Sequence, residues 1–157
     1  MSPANQSIAQ ILLKLKSWCA YQERSHFETR RKLASFRIDE ETASVVMAQL
    51  ISENFLSEER FAIAFAGGKF RMKHWGRVKI KMELRRHQVS DYLINKALRE
   101  ISYEDYLEEI RRLIGKKINE GDSADINFRR AHTYLLSKGY ENDLAIEEIN
   151  KWLAGNG

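Results

Sequence analysis

Three stretches of the sequence stand 51 residues apart and share one pattern: RRKLASFRI at 30–38, KMELRRHQV at 81–89 and HTYLLSKGY at 132–140. The same spacing aligns four apolar columns, which are Leu33, Leu84 and Leu135; Ile38, Val89 and Tyr140; Met47, Leu98 and Ile149; and Leu50, Ile101 and Trp152. Helical periodicity alone would produce one or two such columns by chance. The sequence therefore predicts three copies of one structural unit.

Within each copy, the apolar residues have the spacing of amphipathic helices. Ile8, Ile11, Leu12 and Leu15 recur at i, i+3, i+4 and i+7, which places them on one helical face. Nine helices are predicted, at 6–22, 25–36 and 40–53, from Ser57, from Gly76, and at 91–101, 103–119, 125–138 and 142–153. With eight glycines and one proline, the chain has too few turn formers for a many-stranded sandwich or barrel. The predicted fold class is all-α.

The nine helices divide into three tandem three-helix repeats, with predicted boundaries at 1–56, 57–101 and 102–157. Each unit is too small to bury its apolar faces alone, so the units are expected to stack into an elongated, curved array. The predicted repeat core consists of Leu33, Ile38, Met47, Leu50, Phe61, Phe65, Ile80, Leu84, Val89, Leu98, Ile101, Leu135, Tyr140, Ile149 and Trp152.

The positive charge is concentrated in two blocks, although the net charge is only +4. Segment 69–87 carries eight basic residues and one acid, and segment 24–37 carries five basic residues and one acid, so the remainder of the chain is acidic. Such blocks are typical of proteins that bind nucleic acid or an acidic protein surface, although a solvated helix face is the structural alternative. The candidate binding residues are Arg30, Arg31, Lys69, Arg71, Lys73, Arg77, Lys79, Lys81, Arg85 and Arg86.

Arg77, Lys81 and Arg85 are expected to form an exposed stripe, because they recur at i, i+4 and i+8 beside buried Ile80 and Leu84. The equivalent positions are His26, Arg30 and Ala34 in the first unit and Phe128, His132 and Leu136 in the third, where ordinary core packing is the favoured interpretation. Trp75 lies among the basic residues and is interpreted as a packing residue rather than a base-stacking one.

Several motifs resemble those of the RecX family, which regulates the bacterial recombinase RecA. FLSEERFA at 55–62 is similar to the family's (G)YLDDERFA, and GRVKIKMELRRHQV at 76–89 is similar to its G..RI..EL..KGI. RSHFETRRKL at 24–33 resembles RS..EL..KL, and Gly139-Tyr140 repeats the end of the second motif. Gln88 departs from the family pattern, which usually has glycine at that position. The resemblance extends over roughly residues 24 to 153.

This resemblance implies a non-catalytic protein that lies in the groove of the RecA–DNA filament and modulates, usually inhibits, RecA. The implied partners are the RecA filament and single-stranded DNA, which is contacted through the filament or directly. The alternative is an independent DNA-binding protein that inserts helix 77–87 into a groove, as a helix-turn-helix protein does. Three successive units suit a filament better than one groove, so we favour the first hypothesis.

The sequence gives no sign of catalysis, metal binding or a cofactor. It lacks a Walker-type phosphate loop, an H-E-x-x-H pair and a G-x-S-x-G elbow. Cys19 is the single cysteine and is expected to be a buried thiol, and the four histidines lack the paired spacing of a zinc site. Without an apolar run of membrane-spanning length or a signal peptide, the chain is expected to be a cytoplasmic monomer with no membrane contact.

Overall fold

The computed structural model describes residues 7–155, which form nine helices and no strands. The helices are α1 (Ile8–Tyr21), α2 (His26–Ala34), α3 (Glu40–Ser52), α4 (Glu58–Lys73), α5 (Arg77–Arg86), α6 (Asp91–Arg99), α7 (Tyr103–Lys117), α8 (Ala124–Ser137) and α9 (Asn142–Gly155). The predicted all-α class is confirmed. Helix ends differ from the sequence prediction by a few residues, and residue 6 of the first predicted helix lies outside the described range.

Short polar side chains define most of the helix starts. Each accepts a backbone N–H of the first turn, which satisfies a donor that has no partner within the helix. These capping residues are Ser7, Ser25, Asp39, Ser57, Ser90, Ser102 and Ser123. Helix α5 differs, because its capping position is Gly76, which has no side chain to offer.

The helices pack in three groups, which we call the first unit (α1–α3), the second unit (α4–α6) and the third unit (α7–α9). Among the helices of residues 7–155, every closely packed pair lies within one unit. The backbone repeats as well, because Arg37, Gln88 and Gly139 stand 51 residues apart and all have positive φ, at 58°, 60° and 92°. Each ends the turn between the second and third helices of its unit. Three tandem units are therefore confirmed, whereas the boundaries at 56/57 and 101/102 stay a prediction.

The buried apolar residues form two separate clusters. One cluster lies inside the first unit and includes Leu15, Leu33 and Leu50. The other extends without interruption through the second and third units, from Phe61 to Ile149. The chain thus has two cores for its three units.

The residues that the sequence assigned to the repeat core lie in these two clusters. Most are buried: Leu33, Met47, Leu50, Phe61, Ile80, Leu84, Val89, Ile101, Leu135, Tyr140 and Ile149. The others are partly buried against a cluster: Ile38, Phe65, Leu98 and Trp152. The apolar columns read from the sequence therefore correspond to interior positions.

Candidate functional site

The candidate binding residues are distributed over α2, the carboxyl-terminal half of α4, and α5. These segments belong to the first and second units, so the third unit contributes none of them. Helix α5 begins where Gly76 meets the turn between α8 and α9, and its buried face carries Ile80 and Leu84. Helix α5 also packs against α4 and α6 of its own unit. These contacts determine which of its charged side chains reach solvent.

Three of the ten basic residues have carboxylate partners. Arg77 lies 3.0 Å from Glu141 of the third unit, and its guanidinium stacks 3.9 Å from the centre of the Tyr106 ring. Arg85 contacts Asp91 at 3.2 Å, and Arg86 contacts Glu83 at 2.9 Å. These partners neutralise much of the positive charge that the sequence indicated for α5.

Arg77 departs from the expected exposed stripe. Its side chain is only 27% exposed, because it lies between α5 and the third unit. The i, i+4, i+8 spacing does place Arg77, Lys81 and Arg85 on one side of α5. At the amino-terminal end of α5, however, that side faces the third unit. Arg77 is consequently a structural contact between units, and along the rest of the stripe Lys81 is partly buried while Arg85 is exposed.

The other seven candidate residues have no acidic partner within 4.0 Å among residues 7–155. Two lie on α2, three on α4 and two on α5, and all are partly or fully exposed: Arg30, Arg31, Lys69, Arg71, Lys73, Lys79 and Lys81. We call this set the uncompensated basic surface. Its charge is available to an anionic partner, since none of its members forms an ion pair with a carboxylate of the described residues.

Trp75 is partly buried against the shared core of the second and third units. Its ring lies between two lysines, with Nζ of Lys69 at 5.2 Å and Nζ of Lys79 at 4.8 Å from the ring centre. Ammonium groups at this distance are attracted by the aromatic ring, which holds both lysines in place. Trp75 thus orients two charges of the uncompensated basic surface while it packs.

Sequence reasoning missed two apolar residues beside these charges. Val78 is 46% exposed and Met82 is 50% exposed, and both lie on the outward face of α5. The signal was present, because positions 78 and 82 are one turn apart and opposite to Ile80 and Leu84. The outward face of α5 is therefore mixed apolar and basic, which suits a protein surface better than a purely phosphate surface.

The third-unit positions equivalent to the stripe have a different character. Phe128 packs partly against the shared core and stacks on His132, with ring centres 5.5 Å apart. Nε2 of His132 lies 2.7 Å from the Asn142 side-chain oxygen, and Leu136 is 41% exposed. Phe128 is therefore a packing residue, whereas Leu136 faces solvent.

Backbone contact fixes α5 against the third unit. The amide N–H of Gly76 donates to the Lys138 carbonyl and that of Val78 donates to the Gly139 carbonyl, each at 2.8 Å. A β-carbon on Gly76 would stand 2.5 Å from the Gly139 oxygen, so only glycine permits this approach. We call the contacts between the second and third units the second junction.

Two buried tyrosines complete the second junction. The Tyr106 hydroxyl accepts from the backbone N–H of Arg77 at 2.9 Å and donates to Glu141, and the Tyr140 hydroxyl donates to the His74 carbonyl at 3.0 Å. Burial raises the pKa of both tyrosines well above the ordinary value near 10. Their neutral hydroxyls therefore serve as fixed hydrogen-bonding groups of the fold.

The described residues show no arrangement suited to metal binding or membrane insertion. Within residues 7–155, no group of three or more histidine, cysteine or acidic side chains is placed to hold a metal ion. No helix in that range is both long and apolar enough to cross a bilayer. Cys19 is buried, and this burial raises the pKa of its thiol.

Comparison with known proteins points to one family. Residues 57–98 match the family model described as RecX, second three-helix domain. Over 126 residues the chain is 30% identical to the regulatory protein RecX of Trichlorobacter lovleyi, covering 78% of this chain and 82% of that protein. It is 26% identical over 132 residues to the regulatory protein RecX of Prosthecochloris aestuarii, covering 84% and 86% of the two chains.

A solved structure supports the same assignment at the level of the fold. The crystal structure of RecX from Lactobacillus salivarius superimposes with a TM-score of 0.86 at 22% identity, covering 94% of this chain and 97% of the other. The sequence relatives and the shared three-helix repeats agree. This chain belongs to the RecX family of regulatory proteins.

Proposed function

We propose that this chain regulates homologous recombination by binding the RecA–DNA filament and inhibiting RecA activity, without catalysis of its own. It acts as a monomer in the cytoplasm, where it contacts RecA and reaches single-stranded DNA through the filament. The observation that carries this proposal is the uncompensated basic surface on the first two units of a RecX-family chain.

The charge pattern supports an anionic, extended partner. Arg30 and Arg31 lie on α2, whereas Lys69, Lys73 and Lys81 lie on α4 and α5, so both of the first two units carry positive charge. A filament repeats its acidic groups along one axis, which matches successive units better than a single compact ligand does. Exposed Val78 and Met82 add apolar area that a protein partner buries on binding.

The contacts of α5 argue against an independent groove reader. In helix-turn-helix proteins the amino-terminal residues of the recognition helix contact the base edges. Here that end of α5 is covered, because Gly76 contacts Lys138 and Arg77 contacts Glu141. The third unit therefore occupies part of the end of α5 that a DNA duplex would need.

The test is a pair of double variants that remove the same charge from different places. Lys73→Ala with Lys81→Ala removes two charges from the uncompensated basic surface. Lys116→Ala with Arg129→Ala removes two from the third unit, where both side chains are exposed. We expect the first pair to weaken binding to RecA filaments on single-stranded DNA by about tenfold and the control by less than about twofold, since each lost surface ion pair costs about 0.7 kcal/mol and a factor of ten corresponds to about 1.4 kcal/mol.

The readouts are filament affinity and RecA ATPase activity on single-stranded DNA, with helicity checked by circular dichroism. Binding of the natural chain is expected to weaken with salt, and this dependence becomes shallower in the first pair. Equal losses in the two pairs would show that the basic surface is not the contact. Unchanged ATPase activity on adding the natural chain would show that RecA is not inhibited.

A further inference from the structure

The contacts between the first and second units, which we call the first junction, are made by polar side chains. Nε of Arg60 donates to Glu23 at 2.8 Å, and the Arg60 Nη atoms donate to the side chain and carbonyl of Asn54 at 2.7 and 2.9 Å. The backbone N–H of His26 donates to the Glu58 carboxylate at 3.0 Å. The Arg60 and Glu23 side chains are 37% and 30% exposed. Water can replace such contacts at little cost in free energy.

Among the residues that the structure describes, no apolar core crosses the first junction. The cluster of the first unit ends at Leu56, and the cluster of the second and third units begins at Phe61. Within residues 7–155, no buried apolar residue belongs to both clusters. Because the free energy that holds two units together scales largely with the apolar area they bury, separating the first unit costs much less than separating the third.

A cleft of about 340 Å³ lies at the first junction. The cleft opens onto solvent, so water reaches the polar contacts of the first junction. Clefts of about 300 and 440 Å³ also lie between α4 and α7, so it is the lining of the cleft by Glu23 and Arg60, and not its volume, that matters here. The cleft is lined by side chains of both units and the turn between them: Cys19, Ala20, Gln22, Glu23, Asn54, Phe55 and Arg60.

The backbone connection between the first and second units is short. The amides of Phe55 and Leu56 both donate to the Leu50 carbonyl, at 2.9 and 3.2 Å, so the chain up to Leu56 is fixed to α3. Ser57 already caps α4 by accepting the N–H of Arg60. Rotation between the units is therefore confined to the bonds between Leu56 and Ser57, and hinges typically lie at such ends of elements.

We propose that the first unit swings as a rigid body about Leu56–Ser57 relative to a rigid block of the second and third units, with a range that salt increases. Salt acts by screening the Arg60–Glu23 ion pair. Where the chain binds a filament as proposed above, the swing changes the spacing between Arg30 and the basic residues of α4 and α5. The motion itself is a property of the free chain.

Distances between spin labels test the swing in the absence of RecA and DNA, so the result is independent of the proposed function. Cys19→Ala removes the single cysteine of the sequence. Ala48→Cys with Asn95→Cys then reports on the first junction, and Asn95→Cys with Asn150→Cys reports on the second. All three labelled positions are exposed.

We expect the distance distribution across the first junction to be at least about twice as broad as that across the second, since μs–ms motion of a hinge gives many spacings. It should broaden further between about 0.1 and about 1 M salt, which shortens the screening length from about 10 to about 3 Å. Two equally narrow distributions, or equal responses to salt, would overturn the hinge. Retained helicity by circular dichroism verifies that each labelled chain is folded.

A second measurement uses the reactivity of Cys19, which is 5% exposed and lines the cleft beside Arg60. Burial raises the pKa of the Cys19 thiol, and the positive charge of Arg60 offsets a small part of that rise. Through charge alone, Arg60→Gln would therefore slow the reaction of Cys19 with a disulfide reagent. We expect the opening of the junction to outweigh this change in pKa. Without the Arg60–Glu23 ion pair the junction opens more often, so Cys19 should react about fivefold faster in Arg60→Gln than in the natural chain. The control Arg77→Gln, at the second junction, should change the rate by less than about twofold. A rate for Arg60→Gln at or below that of the natural chain would contradict the proposal.

Discussion

The two junctions join equivalent parts of the repeat, yet they are built differently. At the second junction Gly76 and Gly139 allow backbone to meet backbone, with two hydrogen bonds of 2.8 Å. At the first junction the equivalent residues are Ser25 and Gln88, and contact is made by side chains, with Ser25 Oγ 3.1 Å from His87 Nδ1. Gly76 and Gly139 therefore allow the second and third units to approach closely enough to share a core, whereas the first and second units make only side-chain contacts.

The charged contacts follow the same division. Arg77 reaches Glu141 across the second junction, whereas the equivalent residues at the first junction, His26 and Ser90, form no such pair. His26 instead places Nδ1 3.5 Å from the Glu58 carboxylate. In both junctions the first N–H of the second helix is capped by the following unit, by Tyr106 for Arg77 and by Glu58 for His26. A repeated fold can thus keep the same capping contact while the strength of the junction varies.

The largest effect is expected from Gly76→Ala. The added carbon would stand 2.5 Å from the Gly139 oxygen, and backbone cannot move aside as a flexible side chain can. We expect a loss of about 3 kcal/mol in the free energy of unfolding, measured by urea denaturation with circular dichroism.

Two controls accompany that measurement. Gly68→Ala should gain about 0.8–1 kcal/mol, because nothing lies within 4 Å of its added carbon in the middle of α4. Ser25→Ala should lose about 1 kcal/mol through its cap, since Ser25 already carries a β-carbon. A Gly76→Ala chain as stable as the natural one would remove the distinction between the junctions.

Alkaline pH should act on the second junction. Burial raises the pKa of Tyr106 and Tyr140 in the folded chain, whereas the unfolded chain releases these protons near pH 10. Stability is then complete below pH 10 and falls above it, by about 1.4 kcal/mol per tyrosine for each pH unit. The first unit contains only Tyr21, which is 84% exposed.

This pH dependence is measured from urea midpoints between about pH 8 and about pH 11, which spans the ordinary tyrosine pKa. Lysines titrate in the same range and also contribute to this dependence. The natural chain is therefore compared with the double variant Tyr106→Phe and Tyr140→Phe, in which the urea midpoint should fall less steeply with pH. Identical slopes would contradict a role for the two hydroxyls at the second junction.

Removing one arginine from each junction compares the two ion pairs directly. Arg77→Met leaves Glu141 next to the Tyr106 hydroxyl without its cation and loses the stacking on that ring, so we expect a loss of about 1–2 kcal/mol in urea denaturation. Arg60→Met removes an arginine that is 37% exposed, against 27% for Arg77, and that stacks on no ring, so it should cost less than about 1 kcal/mol. The reverse order would mean that the first junction is the stronger one.

Acid should have the smallest effect. Burial tends to raise the pKa of Glu109, but the hydrogen bond and charge of Arg112, with His74, outweigh this and hold it below the ordinary value of 4.5. The resulting stability is present above pH 4.5 and is lost as pH falls through the folded pKa. The free energy of unfolding should therefore fall less with acid in Glu109→Gln than in the natural chain, by a difference of less than about 1 kcal/mol. Urea denaturation at a series of pH values below about 7 measures this difference. A fall that is as steep in the variant would place the effect elsewhere.

Much of the fold was predictable from local patterns. The period of 51 residues, the apolar columns beginning at Leu33 and the capping serines identify three units and nearly every helix start. These signals are readable because helix periodicity and capping depend on residues only three or four positions apart. The sequence also identified which segments carry positive charge.

The candidate site was predictable only in part. Lys73 is exposed and Lys81 is partly buried. Arg77 is held by Glu141 and Tyr106, which are 64 and 29 residues away. The exposure of Val78 and Met82 likewise depends on how α5 packs. No local pattern reports which carboxylate approaches which arginine, because such contacts depend on the packing of whole units.

By itself, the amino-acid sequence determined the all-helical class, the triplication, the helix starts and the basic character of the first two units, since these follow from interactions within one helix or one turn. Only the tertiary structure decided that the second and third units share a core while the first stands apart, and that Arg77 belongs to a junction. The physical reason is close approach: glycine at 76 and 139 matters only where two distant backbones come within hydrogen-bonding distance.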